Sequence, residues 1–341
     1  YTTNDIVTKG KGAIALSPTN IENNKLTYDK DNTYISFYKY EESPEIMIKQ
    51  GDVIFVKTGS TVGKVAYVDK LICKTTLNPQ VVVLKDIQCD NYLLSVLMST
   101  NKFQNAIRKI IVGGAVPTLS QAAMGDIVVT MPQATEQEKL SKFISLLDDR
   151  IATQNKIIEK LQSLIKGLAA QLTQSGTPNV RLCDCLECHS STLQENCVSA
   201  TGSYPVYGAT GLIGYTNGYA YNGESILIVK DGSGVGSLSY ANDCYSVIGT
   251  LNYLTAKGKY SVLYLYYALM AFNFTPYITG MAIPHIYFKD YGKAKLFYPS
   301  IEKRIRIASL LHNIEQKLVV EQNLVISLSA QKSYLLRMLF I

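Results

Sequence analysis

Tryptophan is absent from this 341-residue chain, and histidine is nearly so, with copies only at His189, His285 and His312. None of the three stands in a recognisable triad context, so a hydrolase built on a nucleophile and a placed base finds no support. Long apolar runs are missing as well. The longest, Val262 to Phe272, is too short to cross a bilayer, and no membrane is expected among the partners. No segment is low-complexity, and a hydrophobic content of 47% is enough for two cores. Neither sign of charge dominates. Lys+Arg against Asp+Glu run 14 to 12 over residues 1–132, 6 to 5 over 133–179, 7 to 7 over 180–299 and 6 to 3 over 300–341. A basic tail is excluded, so nucleic-acid binding would have to come from placed residues or partner subunits rather than a general field. With no secretory signal pattern, the expected location is the cytoplasm. With no initiator Met, residues are expected to precede Tyr1.

The seven cysteines are odd in number, which argues against a disulfide framework. Cys183, Cys185, Cys188 and His189 cluster in "RLCDCLECHSS", and residues 185–189 read C-x-x-C-H, the pattern of covalent haem attachment. That chemistry needs export and a distal iron ligand. Zinc needs four ligands of tetrahedral reach, usually two separated pairs, whereas Cys183 and Cys185 would point to opposite faces of a strand. Reduced thiols with no metal are the expectation.

What the chain does have is a glycine-rich stretch, "VKTGSTVGKVAY" at 56–67, which looks like a phosphate-binding loop. That loop runs G-x-x-x-x-G-K-[ST], so that successive backbone N–H groups wrap an anion and the hydroxyl holds Mg²⁺. Here Gly59 and Gly63 enclose one residue too few, and Val65 replaces the hydroxyl. A turn between strand arms Val53–Val56 and Val65–Val68 is the better expectation. A shift of 173 residues settles the matter, because it lays "KTGSTVGKVAY" (57–67) on "KDGSGVGSLSY" (230–240) and replaces Lys64 by Ser237. A loop that occurs twice and drops its lysine once is a repeated hairpin, not a nucleotide site.

The repeat continues. "TLN" at 76–78 returns at 250–252. "GGAVP" (113–117) returns as "GMAIP" (280–284), and from there an offset of 167 holds to the chain end. Residues 133–174 place Leu140, Ile144, Leu147, Ile151, Gln154, Ile158, Leu161, Ile165, Leu168 and Leu172 at alternating spacings of four and three. The second copy gives Ile307, Leu311, Ile314, Leu318, Glu321, Val325, Leu328, Lys332, Leu335 and Leu339. A sustained 3.5-residue period predicts a coiled-coil seam. Rods of about 40 residues and roughly 60 Å outreach a domain of this size, so each is expected to pair with the other. Gln154 and Glu321 interrupt the seam at one repeat position, either to fix register or as a solvated slot near a chain crossing.

Two variable globular units, each followed by a long helix, resemble the DNA specificity subunits of type I restriction-modification systems. The resemblance is carried by "MPQATEQEKLSKFISLLDDRI" (131–151), "YPSIEKRIRIASLLHNIEQKL" (298–318), "GDVIFVKTGSTVGKVAYV" (51–68), "GSYPVYGATGLIGYTNGYAYNGESILIVKDGSGVG" (202–236) and "YLLRMLF" (334–340). The second copy departs from the pattern with Glu302-Lys303-Arg304 where the first has Glu136-Gln137. The resemblance implies an α/β (α+β) fold with pseudo-two-fold symmetry and two antiparallel coiled-coil helices. The segments would be a recognition domain at 1–132, a central helix at 133–175, a second recognition domain at 176–299 and a closing helix at 300–341. It further implies a non-catalytic bacterial or archaeal subunit that reads a bipartite, asymmetric target on double-stranded DNA. Two methyltransferase subunits and restriction (motor) subunits would dock on it. S-adenosylmethionine, ATP and Mg would belong to those partners, leaving this chain with no cofactor.

Rival classes fare less well. An adenine methyltransferase would need an Asn/Asp-Pro-Pro-aromatic motif, and the nearest string, Asn78-Pro79-Gln80, lacks the second proline and the aromatic. A structural coiled-coil scaffold without sequence preference is the alternative. The expected DNA contacts are Lys57, Thr58, Ser60, Thr61 and Lys64 in the first loop and Lys230, Ser233 and Ser237 in the second. Lysines suit phosphates, and short hydroxyls reach phosphates or base edges. The other reading is that these loops only shape their domains.

Overall fold

The computed structural model describes residues 1–28, 31–114 and 116–339. It divides into two compact units, Tyr1–Ala152 with Ile326–Ile341, and Thr153–Val325, so that each long helix is shared between them.

In the first unit, short strands β1 (Ala13–Leu16), β2 (Ile21–Glu22), β3 (Lys25–Leu26) and β4 (Thr33–Ile35) precede the hairpin of β5 (Val53–Val56) and β6 (Val65–Tyr67). Strands β7 (Thr75–Leu77) and β8 (Val81–Leu84) follow, then helices α1 (Asn91–Met98) and α2 (Asn101–Ile110). β1 lies antiparallel to β4 and parallel to β7, while the larger sheet runs β2-β3-β6-β5-β8. The run Val-Ile-Phe-Val of β5 is buried on both faces, as β-branched and aromatic residues in a central strand should be. Its ladders run antiparallel to β6 (Val53↔Tyr67) and β8 (Val56↔Val81). α1 begins where Asp90 accepts the Leu93 N–H at 2.7 Å, an N-cap that satisfies one orphan donor.

Helix α3 (Ala134–Thr173) runs for 40 residues, about 60 Å. In the second unit, β9 (Leu186–Ser190), β10 (Tyr204–Gly208), β11 (Gly211–Thr216) and β12 (Tyr221–Asn222) come first. Then come β13 (Ser225–Val229), β14 (Leu238–Ala241), β15 (Cys244–Val247), β16 (Leu251–Ala256) and helix α4 (Val262–Met270). The sheets run β9-β16-β13-β14 and β11-β10-β15-β12. β13 occupies the position of β5, antiparallel to its hairpin partner β14 (Ile228↔Leu238) and to β16 (Val229↔Leu251). α5 (Ile301–Leu339) closes the chain with 39 residues.

The Tyr-rich segment 204–221 has no sequence counterpart before residue 51, yet it has a topological one. β10 lies parallel to β15 and antiparallel to β11, as β1 lies parallel to β7 and antiparallel to β4. Sequence divergence hid a shared path. Cys183 and Cys185 correct an expectation: they lie in one helical turn, Leu182–Cys185, rather than on opposite faces of a strand.

The long helices meet within each unit. In the second, Ile165 and Ala169 of α3 share a core with Ile307, Ala308 and Leu311 of α5 and with Tyr264 and Tyr267 of α4. There Gln154 also donates to Glu321, so the two segments run antiparallel. In the first unit, Leu336 packs against Leu93, Val96 and Ile144, while Lys332 reaches Asp148. The seam positions are buried at Ile144, Ile165, Ile307 and Leu311, and half-buried at Leu140, Leu147, Ile151, Ile158, Leu161, Ile314, Leu318, Val325 and Leu328. Gln154 and Glu321 stand 167 residues apart, the offset of the helical repeat. A residue that meets its own repeat equivalent marks a local two-fold between the two segments.

Candidate nucleic-acid interface

The glycine-rich turn follows from its backbone. Gly59 and Gly63 sit at φ +107° and +99°, and Gly232 and Gly236 at +94° and +85°, a left-handed region that glycine enters without cost. In the first turn, Gly63 N–H donates to Val56 O (3.0 Å), Val62 to Gly59 (3.1 Å) and Lys64 to Thr61 (3.2 Å). In the second, Gly236 donates to Val229 (2.8 Å), Val235 to Gly232 (3.1 Å) and Ser237 to Gly234 (3.0 Å). The remaining glycine N–H closes on the other repeated motif, Gly59 on Pro117 O (2.9 Å) and Gly232 on Pro284 O (2.8 Å). In both copies, therefore, four N–H groups of the turn, those of both glycines among them, donate to carbonyls.

The turn and the G-x-A-x-P loop thus form one junction, built twice. Leu119 N–H donates to Lys57 O (2.8 Å) and Ile286 N–H to Lys230 O (2.9 Å). Bridges Thr58↔Thr118 and Val112↔Thr118 have the counterparts Asp231↔His285 and Thr279↔His285. Gln104 of α2 holds the first turn by donating to Gly63 O at 2.8 Å, and Phe274 packs under Gly236 in the second. Each loop also presents an aliphatic residue to solvent at an equivalent position, Val116 (58% exposed) and Ile283 (64%).

The junction brings the sequence-predicted side chains of each unit onto its own turn, in varied states. Ser60 and Lys64 are exposed, while Lys57, Thr58 and Thr61 are half-buried. Lys64 Nζ donates to the Ile21 carbonyl at 3.2 Å. In the second turn Ser233 and Ser237 are exposed, and Lys230 is half-buried with its ammonium 3.1 Å from Asp231. Lys64 and Lys230 are thus partly occupied by the protein itself, and the exposed hydroxyls are the freer groups.

The cysteine cluster lies apart from this chemistry. Burial pushes the Cys185 and Cys188 thiols up to about 11, and His189 bonds Thr255 (2.9 Å) while stacking on Tyr253. Among the described residues no group of His, Cys, Asp and Glu is arranged to hold a metal ion, and no helix is long and apolar enough to cross a membrane.

Sequence reasoning missed a pair of contacts where α1 and α4 meet the long helices. Tyr92 donates to Asp148 at 2.8 Å, and Tyr266 and Tyr267 donate to Glu315 at 2.8 and 2.6 Å. Tyr92 and Tyr266 are separated by the offset of the TLN repeat, and Asp148 and Glu315 by that of the rods. Combining the two offsets was the signal that could have found them.

A family model described as the Type I restriction modification DNA specificity domain matches residues 2–163 and 179–328. Over 149 residues the chain is 27% identical to the Type I restriction enzyme MjaVIII specificity subunit of Methanocaldococcus jannaschii, covering 44% of this chain and 34% of that protein. Over 112 residues it is 26% identical to the EcoprrI specificity subunit of Escherichia coli, covering 33% and 28%. The matched stretches span about a third of these relatives' length. The crystal structure of a type I restriction-modification S subunit from M. genitalium shares the fold, with a TM-score of 0.67 at 16% identity over 100% of this chain and 95% of that one.

Proposed function

Since this chain belongs to the type I restriction-modification DNA specificity family, we propose that it is the non-catalytic subunit that selects the target of a bacterial or archaeal DNA-modifying complex in the cytoplasm. The observation that carries this reading is the junction of Gly-rich turn and G-x-A-x-P loop, built once in each unit with different side chains. One scaffold presented twice suits two half-sites, and different side chains suit two different sequences. Each unit reads a few base pairs in the major groove, where every base pair shows its own donor and acceptor pattern. The long helices set the unread spacer, as subunit geometry does for operator half-sites. Two methyltransferase subunits dock on the helices, carry S-adenosylmethionine and methylate adenine flipped from the stack. Restriction subunits bring ATP and Mg, and this chain holds no cofactor of its own.

Methylated adenines mapped in cells carrying this gene and its partner genes provide the test. An asymmetric bipartite motif is expected, and replacing residues 180–299 by the equivalent domain of a relative should change one half-site only. A swap that alters both half-sites would refute the modular reading. Methylation without sequence preference would favour the structural scaffold instead.

A further inference from the structure

The helix that follows each central sheet rests on a long helix through apolar contacts, and these fix distance better than angle. In the first unit Leu93 and Val96 of α1 pack with Ile144 of α3, with Leu140 and Leu336 beside them. Dispersion between such side chains is non-directional, so the apolar contact alone defines the direction of α1 less sharply than a hydrogen bond does. Two polar contacts are different, and the first is at the N-cap of α1, where the Asp90 N–H donates to the Gln137 side-chain oxygen of α3 at 2.8 Å. The Tyr92 hydroxyl donates to Asp148 at 2.8 Å, and a tyrosine O–H aimed at one carboxylate oxygen has a narrow angular range. The second unit repeats the device with Tyr266 and Tyr267 of α4 on Glu315 of α5. Two residues drawn from segments with different repeat offsets meet in both copies, although the loops between them have diverged.

We propose that these tyrosine–carboxylate contacts are positioning clamps, which set the angle of each recognition domain on its helix and thereby the number of base pairs accepted between half-sites. The proposal rests on the DNA-recognition reading above. The scale fits: one turn along a long helix is about 5.4 Å, and one base pair rises about 3.4 Å. A domain that slips by less than a turn therefore changes the preferred spacer by one base pair. The clamps also differ. Asp148 takes its second partner, the Lys332 ammonium at 2.5 Å, from α5, so the first clamp joins the domain to both long helices. Glu315 takes both its hydroxyls from α4, so the second ties one domain to one helix.

The test uses the full chain assembled with its methyltransferase partners. The probes are duplexes carrying the mapped half-sites with the spacer lengthened or shortened by one base pair. Wild type should methylate one spacer. Tyr92→Phe should raise methylation of the neighbouring spacers roughly tenfold relative to the preferred one, the factor expected when one hydrogen bond to a charged group is lost, and Tyr266→Phe with Tyr267→Phe, which removes two, should raise it further. Base preference within the half-sites should not move. Asp148→Ala, which removes the acceptor, should broaden the profile in the same way, and Asp148→Asn, whose amide oxygen still accepts from Tyr92, should broaden it less. Variants that melt as cooperatively as wild type and keep its spacer profile would overturn the clamp while leaving the functional reading intact. A changed half-site preference would overturn it too. Wild type that methylates every duplex alike would overturn the functional reading and the clamp together.

Discussion

Between β5 and β8 in the first unit and between β13 and β16 in the second, the strand ladders, the glycine turn and the returning loop match, but the side chains filling the space do not. The first core is aliphatic around Ile14, Leu16, Ile54 and Val56. The second stacks Tyr207, Tyr221 and Tyr253 around buried Tyr245, with ring centroids 5.4 to 6.2 Å apart, and buries Tyr264, Tyr267 and Tyr291 against the long helices. The same path thus accepts either filling. Backbone demands at the turn and apolar periodicity set the fold, which leaves side-chain identity free to diverge. A cost follows, because each buried tyrosine or thiol brings a group that must stay protonated.

The largest expected difference between the units is therefore alkaline. Among the described residues, burial first of all raises five acids in the first unit, Tyr1, Tyr28, Tyr67, Cys89 and Tyr92. In the second, eleven are raised: Cys185, Cys188, Tyr207, Tyr240, Tyr245, Tyr253, Tyr260, Tyr264, Tyr266, Tyr267 and Tyr291, most of them by burial and Tyr260 chiefly by the nearby Cys185. An acid whose folded value lies above its ordinary one contributes stability that is complete below the ordinary value and is lost as pH climbs through the folded value. For Cys185 and Cys188 the window runs from 9.0 to about 11, and for Tyr264 from 10.0 to about 12. Hydrogen exchange followed by mass spectrometry should show peptides of 225–256 losing protection before those of 53–84 as pH rises above 9. Simultaneous loss, or loss in the reverse order, would contradict the link between tyrosine filling and alkaline weakness.

Packing against the long helices ranks next. Leu311 is fully buried in the second core, and Leu311→Ala should cost about 2–5 kcal/mol in thermal or denaturant unfolding. Leu328 is a half-buried position of the same seam, and Leu328→Ala should cost about 1 kcal/mol. Equal losses would mean that the seam does not distinguish its buried and half-buried layers.

Much of this arrangement was legible in the chain. The seam from Leu140 to Leu328 shows as a 3.5-residue period because solvent and partner impose it on every turn. The hairpin around Gly59 shows because only glycine suits its φ. Lys64 against Ser237 argued for a repeated hairpin rather than a nucleotide site, and in the structure four N–H groups of each turn donate to carbonyls. What stayed hidden depends on distance through space. The counterpart of the Tyr-rich segment, β1, shares its pairing but no sequence. The Cys183–Cys185 spacing looks like strand alternation, yet four residues sufficed for a helical turn. Tyr92 and Asp148 carry no local signal at all, being 56 residues apart.

The clamps should differ in their response to salt by a smaller margin. Lys332 and Asp148 keep side-chain exposures of 23% and 17%, so their attraction is partly screened. Lys332→Met should cost about 1 kcal/mol in dilute buffer and measurably less at ~1 M salt, where the Debye length falls to about 3 Å. Tyr267→Phe removes a hydroxyl donor to Glu315 and should cost about 1.5–3 kcal/mol at both salt levels. Parallel salt dependence of the two variants would show that the clamps are electrostatically alike.

The smallest effect on stability, and the sharpest on the loops, comes from exchanging the turn residues: Lys64→Ser makes the first turn resemble the second, and Ser237→Lys does the reverse. Both side chains are exposed, and the backbone of each turn is closed by its own carbonyls. Stability should therefore move by no more than about 0.5 kcal/mol in either variant. If the turns face DNA, one lysine lost or gained changes the count of neutralised phosphates by one. The steepness with which log affinity falls against log salt should then decrease by about 0.9 for Lys64→Ser and increase by about 0.9 for Ser237→Lys, measured by fluorescence anisotropy on the complex with its methyltransferase partners. A lysine that only shapes its domain gives the opposite pattern. Lys64→Ser would then lose the bond to the Ile21 carbonyl, lower the melting temperature and leave the salt slope unchanged. Two variants and two readouts thus separate a phosphate contact from a strut.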